Sequence, residues 1–466
     1  MIARAPAALS AVLAHGFGIR YDLPVPLYLY LITAGAVVVL SFALVAVFVK
    51  VGEGERDYPR FPLDRIPVIG SLANGPLPRL FGGTIGVLVL VAIVITGYFG
   101  APDATGNPAE YLLWIYFWAG TVLISSIVGN LYALLNPFSA IFDIANRVVG
   151  GRLRRMRSYP ERLGLWPAVA GYFLFAFFEL ASGQSAHPRS VATAAVLYTV
   201  YTLAMMTVFG RDTWLGKGEF FSILFRFVAA FGPVEQRDAR VYLRPWAVGL
   251  TRLQMQGPDV IVFVILILSS LAFDGLSATP LWAGIYLGLG GVTDALGGLG
   301  PPLVKGAGLL GLTVVFAAVY LLFVRLVDSF GGGRGDLIHA GSLFAFTLVP
   351  IALVYNAAHN YSYMVIQGQG LFPLLADPLR SGAHLLPTAG YKPSFALADA
   401  AFVWSLQVVL IVFGHVVAVY LAHRRAVAIY PGGRAALRSQ YPMLLLMVLY
   451  TTVSLWILAQ PNAEAG

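Results

Sequence analysis

The chain has 466 residues, of which 58% are hydrophobic and 11% charged, with a mean hydropathy of +0.78. A soluble domain carries about 25% charged residues, so this composition excludes one and sets most side chains against lipid or against each other. The net charge of +8 does not point to nucleic acid, because the basic residues fall on one predicted membrane face, where orientation and anionic headgroups account for them.

Residues 1–14 carry one basic residue, Arg4, and a short apolar run, with Val12 and Ala14 at the −3 and −1 positions before His15. They read as a signal peptide, leaving 15–466 as a single membrane domain. Cleavage after Ala14 exposes an amino-terminal histidine, and the amine and imidazole of His15 together form a copper chelate. Apolar runs of about 20 residues, the length needed to cross a bilayer, begin near 27, 82, 111, 164, 189, 258, 306, 337, 400 and 440. They predict an all-α polytopic bundle of about ten transmembrane helices.

Basic stretches at 50–81, 136–163, 210–257, 325–336 and 422–439 hold 24 of the 30 Lys and Arg residues, each between an odd-numbered span and the next even one. The positive-inside rule puts all five in the cytoplasm, with both termini outside. Trp114, Trp166, Trp282, Trp404 and Trp456 fall near predicted span ends, where an amphipathic indole prefers to sit. Ten spans also divide as five plus five, and an odd number per half permits an inverted repeat of the kind found in transporters.

Two cytoplasmic segments have helical polar spacing. One carries Ser139, Asp143, Asn146 and Arg147 opposite Phe138, Ile141 and Phe142; the other carries Glu219, Ser222 and Arg226 among Phe220, Phe221, Leu224, Phe225 and Phe227. Both are expected to be amphipathic helices lying in the interface. The Gly-rich outer stretch 288–302 reads as an ordinary connection.

Ionisable groups at membrane depth are costly and mark candidate sites. Here they collect toward the outer ends of spans: Glu179 on the fourth, Asp274 on the sixth, His359 on the eighth, Asp399 and Gln407 on the ninth. By helical rise, Asp274 and His359 reach similar heights and should approach within about 8 Å. With no cysteine in the chain, disulfides and thiolate metal sites are excluded. A metal such as zinc would have to use His359, Asp274, Glu179, His384 or Asp377, and such a cation activates water. The bland alternative is that these groups hydrogen-bond one another and pin helices together.

Several strings, in order along residues 14–425, resemble bacterial polytopic membrane proteins labelled fenitrothion hydrolases, of the Fed type. They are Ala14-His15-Gly16, Tyr21-Asp22-Leu23-Pro24-Val25-Pro26, Asn136-Pro137-Phe138, Tyr159-Pro160-Glu161-Arg162-Leu163-Gly164, Phe273-Asp274-Gly275-Leu276-Ser277, Tyr355-Asn356-Ala357-Ala358-His359 and Gln367-Gly368-Gln369. The resemblance implies a bacterial plasma membrane location and hydrolysis of a hydrophobic organophosphate. The resulting expectation is a hydrolase-like protein with Asp274, His359 and Glu179 as catalytic groups, and with His359, His384, Asp274 and His15 as ligands for zinc or copper. The alternatives are a permease for a small solute or metal, and a non-catalytic membrane subunit that anchors a partner.

Overall fold

The computed structural model describes residues 26–48, 58–65, 77–153, 155–237, 240–333, 335–383, 385–396, 399–430 and 433–460. Within them, ten helices are long and apolar enough to cross a bilayer. They are α1 (Leu27–Val45), α2 (Leu80–Phe99), α3 (Pro108–Val128), α4 (Glu161–Leu180), α5 (Pro188–Phe209), α6 (Pro258–Ser277), α7 (Gly297–Phe330), α8 (Leu337–Leu374), α9 (Ala401–Ile429) and α10 (Gly433–Leu458). The chain is therefore a multi-pass membrane protein, helical because each backbone N–H and C=O inside hydrocarbon must find its partner within its own segment. The even number of spans returns α10 to the side where α1 began.

Helix starts follow local chemistry. Proline occupies the first turn of α3, α5 and α6, where its missing N–H costs nothing. The Asn107 side chain accepts from Ala109 N–H at 2.9 Å, and that of Asp399 accepts from Phe402 N–H at 3.0 Å, each satisfying a helix-start donor. Asp399, one of the ionisable groups near a span end, thus caps α9.

Two spans are central. α6 and α8 have 78% and 83% of their apolar windows enclosed by the rest of the molecule, against 28% for α2 and 22% for α5. α8 and α9 pack against each other at a point where a Cβ on Gly414 would lie 2.2 Å from Val354 Cγ2 and 3.0 Å from Pro350 O, so only glycine allows the two backbones to come this close.

The two amphipathic segments part company. Helix Pro137–Val148 behaves as expected: Phe138 and Phe142 are buried, while Ile144 and Val148 project outward. Helix Phe220–Phe231 instead turns its apolar faces into protein, packing on α3, α4 and α8, with Phe220, Ile223, Phe225 and Phe227 fully enclosed. Its phenylalanines meet an aromatic seam, Phe221 against Phe117 at 4.9 Å, Phe225 against Tyr132 at 4.8 Å and Phe227 against Phe346 at 5.2 Å between ring centroids. These twelve residues, too short to span a bilayer, are covered by protein on nearly every face.

The buried Glu219 starts that helix. Its carboxyl accepts from Phe221 and Ser222 N–H at 3.0 and 2.7 Å, and from the hydroxyls of Tyr198 and Tyr132 at 2.5 and 3.4 Å. On the same side of the molecule a small antiparallel sheet, β1 (Phe61–Pro62), β2 (Val234–Arg237) and β3 (Arg240–Leu243), pairs in the order β1-β3-β2. Glu235 binds Arg60 at 2.9 Å and Arg244 at 3.4 Å across it.

Of the tryptophans near span ends, Trp166 is exposed and Trp456 partly exposed, whereas Trp114, Trp282 and Trp404 are covered by protein.

Two measurements check this architecture. In this cysteine-free chain, a single cysteine at Gln184 should react with an impermeant thiol reagent on intact cells, and one at Arg155 should react only after permeabilisation. Glu219→Ala should destabilise the protein in detergent by about 2–4 kcal/mol, because a helix cap is lost and two tyrosine hydroxyls are stranded; Glu219→Gln, which keeps the acceptor, should lose clearly less.

Candidate functional site

The site lies at the end of the bundle opposite the basic loops, where α3 and α6 and the upper parts of α4 and α8 converge. Asp274, three residues from the end of α6, and His359, on α8, form a pair with His359 Nε2 2.9 Å from Asp274 Oδ2. Their side chains are 16% and 23% exposed, so the pair is neither sealed in the core nor facing lipid.

Tyr355 supports it from below. Its ring stacks on the His359 ring, one helical turn away, at 5.9 Å between centroids and 12° between planes. The Tyr355 ring is buried and its hydroxyl lies over Gly275, where an added Cβ would be 2.5 Å from the hydroxyl oxygen and 2.6 Å from Ile457 Cγ2. The absent side chain at Gly275 thus decides how close α6 and α8 come, and hence whether Asp274 meets His359. On the far side of α8, Gln407 Nε2 donates to Ala358 O at 3.0 Å, so this polar residue of α9 steadies the helix beside His359.

The pair lines a cavity of about 120 Å³ whose wall also includes Glu110, Glu179, Tyr111, Trp114, Trp118 and Tyr363. Glu179, at the end of α4, stands within electrostatic reach of Asp274 and beside the Trp118 indole. Three sequence-predicted catalytic residues therefore share one cavity. Glu110 joins them without having been singled out in the sequence: it is 7% exposed, and Trp114 Nε1 donates to its Oε2 at 3.0 Å. The signal that could have found it is a carboxylate in the first turn of a span, four residues before a tryptophan.

The aromatic wall comes from a departure in helix geometry. Residues Tyr111–Gly120 of α3 form a π-helix, a wider coil that is rare and concentrates at functional sites. It presents Tyr111, Trp114, Ile115 and Trp118 to the cavity, and Tyr116 ties it to α8 by donating to Gly368 O at 3.0 Å. A second, apolar cavity of about 30 Å³ shares Trp118 and is bounded by Tyr172, Leu224, Phe227 and Asn356.

Near the mouth, Ala104 and Thr105 line the cavity. Asp103 beside them accepts from Gly106 N–H at 2.7 Å and Thr105 Oγ1 at 3.1 Å, and pairs with Arg380 at 3.1 Å. Partial burial works against its charge, but these hydrogen bonds and the Arg380 guanidinium hold the carboxyl below its ordinary pKa. Both partners are half exposed, so the pair orders the rim more than it stabilises the fold.

His15 and His384 lie outside the described residues. Asp377 accepts from Ser381 and Gly382 N–H at 2.8 and 2.7 Å in its own turn, and it does not line the cavity. Gln369, from the polar patch after α8, clamps a loop by accepting from the Tyr391 hydroxyl and Ser394 N–H at 2.6 and 2.8 Å. Among the described residues, no three His, Asp or Glu side chains converge as metal ligands.

No protein family, curated protein or solved structure compared with the chain matches it. The class is defined by its own geometry: a membrane bundle with ten candidate spans among the described residues and an acidic, aromatic-walled cavity at one end.

Gly275→Ala tests how the pair is held. It should lower stability by about 1–3 kcal/mol through overpacking, and the added Tyr355→Phe, which deletes the hydroxyl the new methyl would strike, should recover part of that loss. Full additivity of the two changes in thermal unfolding would show that the contact at Gly275 does not govern the site.

Proposed function

We propose that this protein is a membrane-embedded hydrolase whose working groups are Asp274 and His359, acting at the extracytoplasmic end of the bundle on a small hydrophobic ester. The observation that carries this reading is the 2.9 Å contact between His359 Nε2 and Asp274 in the wall of a cavity. A carboxylate on one ring nitrogen fixes the imidazole's orientation and stabilises the imidazolium that forms, leaving the other nitrogen, Nδ1, to take a proton from water. The water then attacks the ester centre, and the imidazolium returns the proton to the leaving oxygen. Glu179, beside Asp274, orients the attacking water.

The aromatic walls suit the apolar part of an ester. A cavity of about 120 Å³ receives its reacting end, with the remainder reaching outward between helix ends. The resemblance to proteins labelled fenitrothion hydrolases makes an organophosphate triester the substrate class to try first. Zinc or copper would enter this scheme through His359 and Asp274, with further ligands from His384 or His15.

A second reading is a permease. It is supported by the second, apolar cavity, which shares Trp118 with the first and is lined by Leu224 and Phe227 of helix Phe220–Phe231. Uptake into proteoliposomes, sensitive to Trp118→Ala, is its signature.

The test is hydrolysis of fenitrothion by purified protein in nanodiscs, followed by nitrophenolate release. His359→Gln and Asp274→Asn should each lower turnover by about 10²- to 10⁴-fold, the usual contribution of a positioned general base, while Asp399→Asn should not. Metal analysis of the same sample separates a metal-free dyad from a loaded site: about one equivalent of zinc or copper, with activity lost to a chelator, would replace the dyad mechanism by a metal-bound water. Wild-type protein without activity on any phosphotriester, together with Trp118-dependent uptake, would establish the permease.

A further inference from the structure

Glu110 takes no part in that chemistry, yet its setting is that of a binding group. One carboxyl oxygen, Oε2, accepts from Trp114 Nε1, while Oε1 is buried with no hydrogen-bond partner among the described residues. The residue is more than nine-tenths buried and lies in the cavity wall. A carboxyl oxygen left without a donor in so enclosed a place is costly, and the cost is removed when a ligand supplies the donor.

The surroundings define that ligand's charge. Glu179 and Asp274 line the same cavity, and among the described residues no lysine or arginine lines it. Arg380, near the rim, is already engaged by Asp103. Glu110, Glu179, Asp274 and the Tyr363 ring line this one cavity together. The walls define the ligand's chemistry further. Tyr111, Trp114, Trp118 and Tyr363 are aromatic, and the electron-rich faces of such rings attract a cation that carries alkyl groups. Metal ions are served poorly, since no three side chains of ligand type converge among the described residues.

From these observations we infer that the outer cavity is a receptor for a small primary ammonium, with Glu110 Oε1 accepting from the ammonium N–H and the rings of Trp114 and Trp118 packing on its alkyl part. The cavity itself holds only several non-hydrogen atoms, which suits a small alkylammonium. The inference concerns recognition, and it stands whether or not the Asp274–His359 pair hydrolyses an ester.

The test is titration of the purified chain in nanodiscs with n-propylammonium, read by the fluorescence of the wall tryptophans and by calorimetry, with n-propanol as the uncharged isostere and tetramethylammonium as the cation without an N–H. Saturable binding of propylammonium, at least tenfold tighter than of either control, is expected. Glu110→Gln should weaken it at least tenfold, and Asp399→Asn, which lies outside the cavity, should leave it within about twofold. Propanol bound as tightly as propylammonium, or no saturation by propylammonium in the millimolar range, would overturn the proposal in the wild-type protein alone, whatever the variants' folding. Zn²⁺ bound at one equivalent and displacing propylammonium would reassign the site to a metal. Full loss of esterase activity in His359→Gln with ammonium binding intact would separate the two functions of the cavity.

Discussion

A charged side chain in the hydrocarbon layer has no water to solvate it, and a group left unpaired there costs at least about 2.5 kcal/mol. The arrangement of this bundle follows from that constraint. The acidic groups of α3, α4 and α6 and the histidine of α8 could not face lipid, so the helices that carry them turn these faces toward one another. The two helices bearing the contacting pair are also the two most enclosed by protein.

Bringing acidic helices together creates a packing problem, and aromatic side chains solve it. Helix Phe220–Phe231 enters between α3, α4 and α8 and fills the interior with phenylalanine. Its own start is secured by Glu219, whose burial is balanced by two backbone and two tyrosine donors. Above it the π-helical part of α3 widens the coil and turns two indoles toward carboxylates, Trp114 to Glu110 and Trp118 beside Glu179. The same aromatic layer therefore serves as packing on its lower side and as the cavity wall on its upper side.

Glu110 and Glu219 show how similar residues acquire different meanings. Both are glutamates at or near the start of a helix, and both are buried. Glu219 has its oxygens occupied by the protein's own donors, which makes it structural. Glu110 keeps one oxygen without a partner at a cavity wall, which makes it a group that awaits a ligand. Nothing in their local sequences separates them, because the distinction lies in what the rest of the fold supplies.

The sequence alone determined the spans and their alternation, since a 20-residue apolar run between basic loops has few alternatives in a bilayer. It also determined the common height of Asp274 and His359, because helical rise converts residue number into depth. Depth says nothing about rotation. Which face of α6 meets which face of α8 was decided by the gap at Gly275 that admits Tyr355, and the membership of Glu110 in the site was decided by the π-helical turn that follows it. Helix Phe220–Phe231 has an apolar pattern equally suited to a lipid surface and to a protein interior, and only the space left between neighbouring helices chose the interior. Periodicity records how apolar each face of a helix is, whereas the partner of that face is a property of the assembled bundle.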